Sequence, residues 1–406
     1  MDIQETIGRS AEESVRFALH CLTPCDGHLR ANSTFVNPNG EPQMWHDFGP
    51  LEGPGWASNS LGGASVLLRY GKAFGREDCV HAGNALIAHT LAHFVDVHGR
   101  LQWLYRDVRS GAFYLNFKHN RDWFCPGSVA RVVLQMLECA ERTEDASLRR
   151  SLTTCAYTTA RWLSAITPVL ANGWFPRRIT PQGAPYPHAA EGSSDPIFER
   201  SGDGTHLLWM WTELTRRGLD DYRQHLQRGV DAFIRAEGFY GSVNHDTYDL
   251  QENVAYAIAF RTFVRAGDVL NEPSLKDYAL QKILPGLERF VMPEDRNGVA
   301  TKGLLYMEDS WDTAYLWENA EACIAYLEAY QLSRERLYKQ RATDILLGIS
   351  KHHYGDYGFL TEGVDWNNHV GKQHHINGAE YGAIAYTEPL LNNLYHVEAY
   401  CIWREL

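Results

Sequence analysis

The sequence predicts an all-α protein, a closed (α/α)6 barrel of six inner and six outer helices. Three observations predict it. Two kinds of helical stretch alternate along the chain, each kind occurs six times, and short connections alternate with long ones. One kind is amphipathic, with an apolar stripe and a charged face, over residues 10–21, 76–94, 145–164, 219–235, 274–290 and 334–350. Such stretches lie on the outside, stripe inward. The other kind is rich in Gly, Ala and aromatics and has few charges past its first turn, over residues 57–70, 128–140, 204–215, 251–264, 312–330 and 380–403. Small residues let helices approach closely, so these are the inner helices. They recur roughly every 50–75 residues without a close sequence repeat, so the repetition is one of pattern. The whole chain, 1–406, is read as one catalytic domain, and a closed barrel keeps that many residues around one core.

The connections give the barrel a direction. Inner-to-outer links at 71–75, 217–218, 267–273 and 331–333 are tight hairpin turns. Outer-to-inner links at 22–56, 95–127, 165–203, 238–250, 291–311 and 352–379 are long, and long loops in a compact domain are usually functional. Every long loop enters an inner helix at its N-terminus. All six therefore share one face, which is the mouth of a pocket, and the partial positive helix ends point at it.

Composition narrows the partners. Apolar residues make up 44% and charged residues 22%, a globular balance. A net charge of −12 argues against nucleic acid, which needs a basic surface. No apolar run is long enough to span a bilayer, and the opening MDIQETIGRSAEES is not a secretory signal. The eight cysteines form no framework, and Cys21 and Cys25 lack a second pair for zinc. A reducing cytoplasm is expected, with no membrane and no cofactor. The oligomeric state is not readable.

The alternating pattern resembles the α/α-barrel carbohydrate enzymes, among them unsaturated glucuronyl hydrolases, N-acylglucosamine 2-epimerases and the toroid domains of polysaccharide lyases. The resemblance spans nearly the whole chain as architecture. The Trp-Ser-Arg-Gly segment of the glucuronyl hydrolases is absent, and where the epimerases carry Gln-x-Arg this chain reads EGPGWASNS. The resemblance thus implies a sugar-sized substrate, and it transfers no residue role.

Site candidates are the ionisable and aromatic groups in the mouth loops or the first turn of an inner helix. The first loop offers Trp45, His46, Asp47, Glu52 and Trp56; Glu52 is equally a first-turn acid favoured by the helix dipole. The second is the most basic, with Tyr105, Arg106, Tyr114, Lys118, His119, Arg121 and Asp122, and Arg offers a fork for a carboxylate or phosphate. The third crowds His188, Glu191, Asp195, Glu199, Arg200, Asp203 and His206 at its helix start. Asp203 is also a good N-cap.

In the fourth loop, Asn244, His245, Asp246, Tyr248, Asp249, Gln251, Glu252 and Asn253 form a polar run, and Asp249 with Glu252 has capping-box spacing. The fifth places Glu308, Asp309 and Asp312 beside Trp311, and like charges so close push one pKa up, as a general acid needs. Deeper in that helix, Glu318 and Glu321 flank Asn319, unusual for an inner helix unless paired. The sixth carries Glu362, Asp365, Trp366, His369, His374, His375, Glu380, Tyr381 and Glu388, with Pro389 kinking or breaking the helix. His369, His374 and Glu380 match no zinc spacing, so no metal is expected.

The leading expectation is a glycoside hydrolase acting on a small oligosaccharide or glycoside, uronate-containing ones included. Its acid–base pair would come from Asp203, Glu252, Asp309, Asp312 and Glu380. Trp56, Trp123, Trp311 and Trp366 would stack on sugar rings, with Glu52, Arg106, His119, His188, Arg200, His369 and His375 as further contacts. The alternatives are a sugar epimerase or isomerase using His188, His245, His369 or His375 as acid and base, and a lyase with Asn244, His245, Tyr248 and Arg106 at a uronate. A terpene-cyclase reading lacks a DDxxD or DxDD run.

Overall fold

A computed structural model describes residues 2–45, 49–186, 199–241, 243 and 249–406. The outer helices are α1 (Ile3–His20), α3 (Glu77–His93), α5 (Ala146–Ile166), α7 (Arg223–Arg235), the broken pair α9 (Pro273–Tyr278) and α10 (Leu284–Glu288), and α12 (Arg336–Ile349). The inner helices are α2 (Ser60–Phe74), α4 (Pro126–Arg142), α6 (Thr205–Arg216), α8 (Asn253–Leu270), α11 (Leu316–Ser333) and α13 (Asn392–Glu405). Each inner helix packs on the next, α2 on α4 on α6 on α8 on α11 on α13, and α13 packs back on α2. That last contact closes the ring. The chain starts with an outer helix, so α1 lies against α13, the last inner one.

Local chemistry explains the elements. Inner helices are buried almost all round, as α11 is from Leu316 to Leu327. The tight turns leave them through left-handed residues: Gly75 after α2 (φ 66), Gly218 after α6 (φ 65), Asn271 after α8 (φ 55) and Arg334 after α11 (φ 63). One such residue ends the helix and reverses the chain. Between α9 and α10 runs a π turn, Ala279–Ile283, just ahead of Pro285. A proline has no N–H to donate and breaks the regular ladder there.

Several predicted helix starts move: the first outer helix begins at Ile3 rather than at 10, and the fourth at Arg223 rather than at 219. Residues 313–315 form a strand, and the fifth inner helix begins at Leu316 rather than at 312. The last inner helix begins at Asn392 rather than at 380. Its predicted first turns instead form a strand and turns ahead of Pro389, which stands before the helix and not inside it. The polar-aromatic pattern of 380–388 mimics an inner helix, but a proline followed by the Asn392–Asn393 pair favours a late start. The mouth loops are braced by small sheets. One joins Leu51–Glu52, Tyr105–Asp107 and Phe113–Tyr114; another joins Thr313–Tyr315, Gly363–Asp365 and Gly382–Ala383. All eight cysteines are free thiols. Among the described residues no helix is long and apolar enough to cross a membrane.

Candidate active site

A cavity on the barrel axis is lined from all six inner helices. Gly62 and Val66 come from α2, Arg131, Leu134, Gln135 and Glu138 from α4, and His206 and Trp209 from α6. Ile258 and Arg261 come from α8, Trp317, Glu321 and Ile324 from α11, and Tyr395 and Glu398 from α13. The aromatic walls suit the apolar face of a sugar ring. Arg131 lies between two of them, its guanidinium 5.6 Å from the Trp317 ring and 5.3 Å from the Tyr395 ring.

Among the described residues, three buried polar atoms around this cavity make no hydrogen bond: Arg131 Nη2, Gln135 Oε1 and His206 Nδ1, the last facing Asp203 Oδ1 at 3.6 Å. Buried polar groups without partners are rare and costly. Their clustering at one cavity marks a place prepared for a polar ligand. Gln135 is fixed from behind. Its Nε2 donates to Asn59 Oδ1 at 2.7 Å, and Asn59 Nδ2 donates to the Leu390 carbonyl at 3.0 Å. Gly62 makes room for this pair, since a Cβ there would stand 2.5 Å from Asn59 Oδ1 and 2.6 Å from Gln135 Nε2.

The wall beside His206 is electrostatic. Arg177 Nη1 donates to Asp203 Oδ2 at 2.9 Å, and Asp203 Oδ1 lies 3.6 Å from His206 Nδ1. Arg177 Nη2 donates to the Val243 carbonyl at 3.1 Å, while the Val243 N–H donates to Glu252 Oε2 at 2.8 Å. Gly127 lets α4 start against this wall, because a Cβ would come within 2.1 Å of the Asp203 carbonyl. Asp203 is therefore not the N-cap its position suggests. Ser201 caps the 3-10 turn Gly202–Gly204, and the Asp203 side chain goes to arginine. The Asp249–Glu252 capping box does not form either: Glu252 accepts from Val243 and Asp249 accepts from Ser310.

The floor is a network of ion pairs. Arg261 pairs with Glu321 and, at 3.0 Å, with Glu328; Arg265 pairs with Glu328 at 2.7 Å; Arg69 and Arg142 both reach Glu398 at 2.7 Å. Burial opposes ionisation of Glu328 and Glu398, but their arginines outweigh it and hold both carboxyls at about 2. Glu321 also sits below its usual range, against burial, through the charge of Arg261. Glu138 is the opposite case, since burial pushes its carboxyl up. Below the floor a larger cavity of ≈ 650 Å³ opens toward the tight-turn face and shares Leu134, Glu138, Trp209, Arg261 and Glu398 with the upper one.

The structure gathers some predicted residues and disperses others. Asp203 stands beside His206, Glu252 is linked to Asp203 through Val243 and Arg177, and Trp56 packs edge-on to Trp317 with ring centres 5.6 Å apart. Glu52 is buried under the first sheet, held by His89 Nε2 at 3.0 Å and Arg106 at 3.6 Å. His119 stands 4.0 Å from Asp107 at the rim. Asp309, Asp312 and Trp366 line a separate rim groove, where exposed Asp309 pairs with Arg289. Trp311 packs on His369 with ring centres 3.8 Å apart. His375 is buried and bonds Asp365 at 3.2 Å, which pins the last loop. Glu380 is exposed, a correction to its expected place on an inner helix. Arg200 is exposed and donates to the Ala236 carbonyl. His46, Asp47, His188, Glu191, Asp195, Asn244, His245, Asp246 and Tyr248 lie outside the described residues.

Arg131, Gln135 and Trp209 escape a search confined to loops and first turns, because they stand inside helices. Trp317 and Tyr395 escape it because they stand in first turns that read as deeper when their helices are started at 312 and 380. The signal was present. Arg131 and Gln135 interrupt the apolar run VARVVLQML, and a buried polar residue on an inner helix needs an explanation.

The fold is that of an α/α barrel, and solved structures of similar fold cover the chain end to end. The cellobiose 2-epimerase of Spirochaeta thermophila DSM 6192 is 16% identical, with a TM-score of 0.64 over 99% of this chain and 98% of that one. A sugar epimerase from a ruminal bacterium is 14% identical, with a TM-score of 0.63 over 98% and 99%. An unsaturated glucuronyl hydrolase specific for heparin is 10% identical, with a TM-score of 0.58 over 99% and 97%. No sequence family matches the chain, and no curated protein is similar to it in sequence.

Proposed function

We propose that this protein is an enzyme that binds a small carbohydrate in the axial cavity and converts it by proton transfer, as a sugar epimerase or isomerase does. The observation that carries this reading is His206. Among the described residues it is the one imidazole lining the cavity, and its Nδ1 faces Asp203 Oδ1 at 3.6 Å. Asp203 beside it would stabilise the imidazolium formed when His206 takes a proton from a carbon next to the sugar carbonyl. Arg177 in turn compensates Asp203, so the carboxylate is a fixed negative charge aimed at the base. Gln135 Oε1 would accept a sugar hydroxyl, and Trp209, Trp317 and Tyr395 would hold the ring. Three described neighbours of similar fold act on sugars by their names, two of them epimerases; that likeness is analogy.

Hydrolysis, the leading expectation from sequence, is favoured by a different observation. Glu138 is pushed up while Glu321 is held down in the same cavity, and a carboxyl pair split this way can serve as acid and base. Glu321 is already engaged by Arg261, however, which leaves it a poor base for water. Product analysis on aldoses, ketoses and disaccharides separates the two. Proton transfer gives a product of unchanged mass with altered chromatography, whereas hydrolysis gives new reducing ends. New reducing ends alone would reverse the assignment.

A further inference from the structure

Among the described residues, Arg131 is the cavity-wall arginine that no carboxylate contacts directly, although the charge of Glu321 acts on it from farther off. Its side chain is buried, the residue being only 6% exposed. It takes part in no hydrogen bond or ion pair with a described residue, and Nη2 is sealed from solvent with no acceptor. The other wall arginine, Arg261, is matched by Glu321 and Glu328. Contacts with the Trp317 and Tyr395 rings offset part of the cost of burying a guanidinium, but they do not satisfy its N–H donors. A buried N–H donor normally has an acceptor, so the missing acceptor is one the ligand brings.

The shape of the site narrows that acceptor. A guanidinium is a planar fork that fits a carboxylate with two parallel hydrogen bonds. With the Glu321 carboxylate already in the same cavity and acting on Arg131, a phosphate dianion would add more negative charge there than a carboxylate monoanion does. Gln135 Oε1, one helical turn along α4 from Arg131 and held by Asn59, stands ready for a neighbouring hydroxyl. We infer that the substrate is a sugar acid whose carboxylate is read by Arg131, with Gln135 accepting a hydroxyl of the same ring. This deepens the carbohydrate reading given above and rests on it.

Isothermal titration with sodium D-glucuronate, D-galacturonate and D-mannuronate tests it, each against its parent hexose and its methyl ester. At least one uronate should bind tenfold or more tighter than both its hexose and its ester. Arg131→Met should erase that difference. Equal binding of uronates and hexoses by the unaltered protein would overturn the inference, as would a tenfold preference that survives in R131M. The ester removes the same charge from the ligand, so the test stands even if R131M does not fold. If neither uronates nor hexoses bind, the carbohydrate reading itself falls; if hexoses bind and uronates gain nothing, only the assignment to Arg131 falls.

Discussion

Arg177 and Asp203 form a buried pair, joined at 2.9 Å across the long loop that precedes the third inner helix. Arg177 is 5% exposed and Asp203 3%. The pair fixes the carboxylate that faces His206 at 3.6 Å.

Breaking this pair should be expensive. Arg177→Met leaves Asp203 buried without its partner, and loss of one member of a buried ion pair costs about 3–5 kcal/mol. Asp203→Asn should cost less, because it removes the charge and keeps the shape, yet it should lower turnover at least tenfold by depriving His206 of its counter-charge. Urea unfolding and steady-state assays read the two effects separately. An R177M protein as stable as the parent would contradict the pairing.

Gly62 should behave as a site residue although it has no side chain. In Gly62→Ala the new Cβ meets Asn59 and Gln135 at 2.5–2.6 Å, and overpacking of this kind costs about 1–3 kcal/mol. It should also weaken ligand binding by turning Gln135 away. Gly75→Ala is the control: its Cβ would meet nothing within 4 Å, but φ is +66. That substitution should cost about 1–2 kcal/mol and leave binding unchanged. Thermal unfolding with and without ligand distinguishes them.

Acid should unfold the protein in two stages. Burial holds His352 and His353 at about 4 and His396 at about 3, against 6.5 for an ordinary imidazole. As pH falls from 6.5 toward 4 the unfolded chain takes up protons that the folded chain refuses, so stability falls. Glu328 and Glu398 extend the loss, because their stabilisation is present above 4.5 and fades as pH falls through about 2. His353 and His396 both face Ser10 of α1, at 2.8 and 3.4 Å, where the ring closes. His396→Gln should flatten the first stage in melts between pH 7 and 4; an unchanged slope would contradict it.

The rim carboxylates should be dispensable. Asp309 is exposed and paired outside the cavity, and Glu380 is exposed in a loop. D309N and E380Q should keep turnover within about twofold and change stability by less than about 0.5 kcal/mol, as surface substitutions do. A hundredfold loss in D309N would move the site to the rim groove, and one in E380Q would move it to the last mouth loop.

The barrel was legible because it rests on pattern. Helix type follows from which faces are apolar, and polarity follows from the alternation of loop lengths. Helix starts were less legible where a polar-aromatic loop imitates an inner helix, as at Glu380, or where a strand precedes the helix, as at Thr313. The candidate site was less legible. Asp203 and Trp56, singled out because they sit where loops enter helices, stand one contact behind the cavity lining, against His206 and Trp317. Arg131 and Gln135 were not singled out, since their meaning lies in what they fail to bond, and that is a property of packing rather than of local sequence. Asp203 was read as an N-cap, because its actual partner, Arg177, is 26 residues away.

The central claim is that His206 moves a proton to and from a sugar carbon inside the barrel. Proton NMR of candidate sugars, uronates included, incubated with the enzyme in D2O tests it most directly. The account predicts loss of one carbon-bound proton signal to deuterium at the epimerised or isomerised position, with exchange slowed at least a hundredfold in His206→Asn. Release of new reducing ends with no deuterium at carbon, or exchange at full rate in H206N, would contradict it.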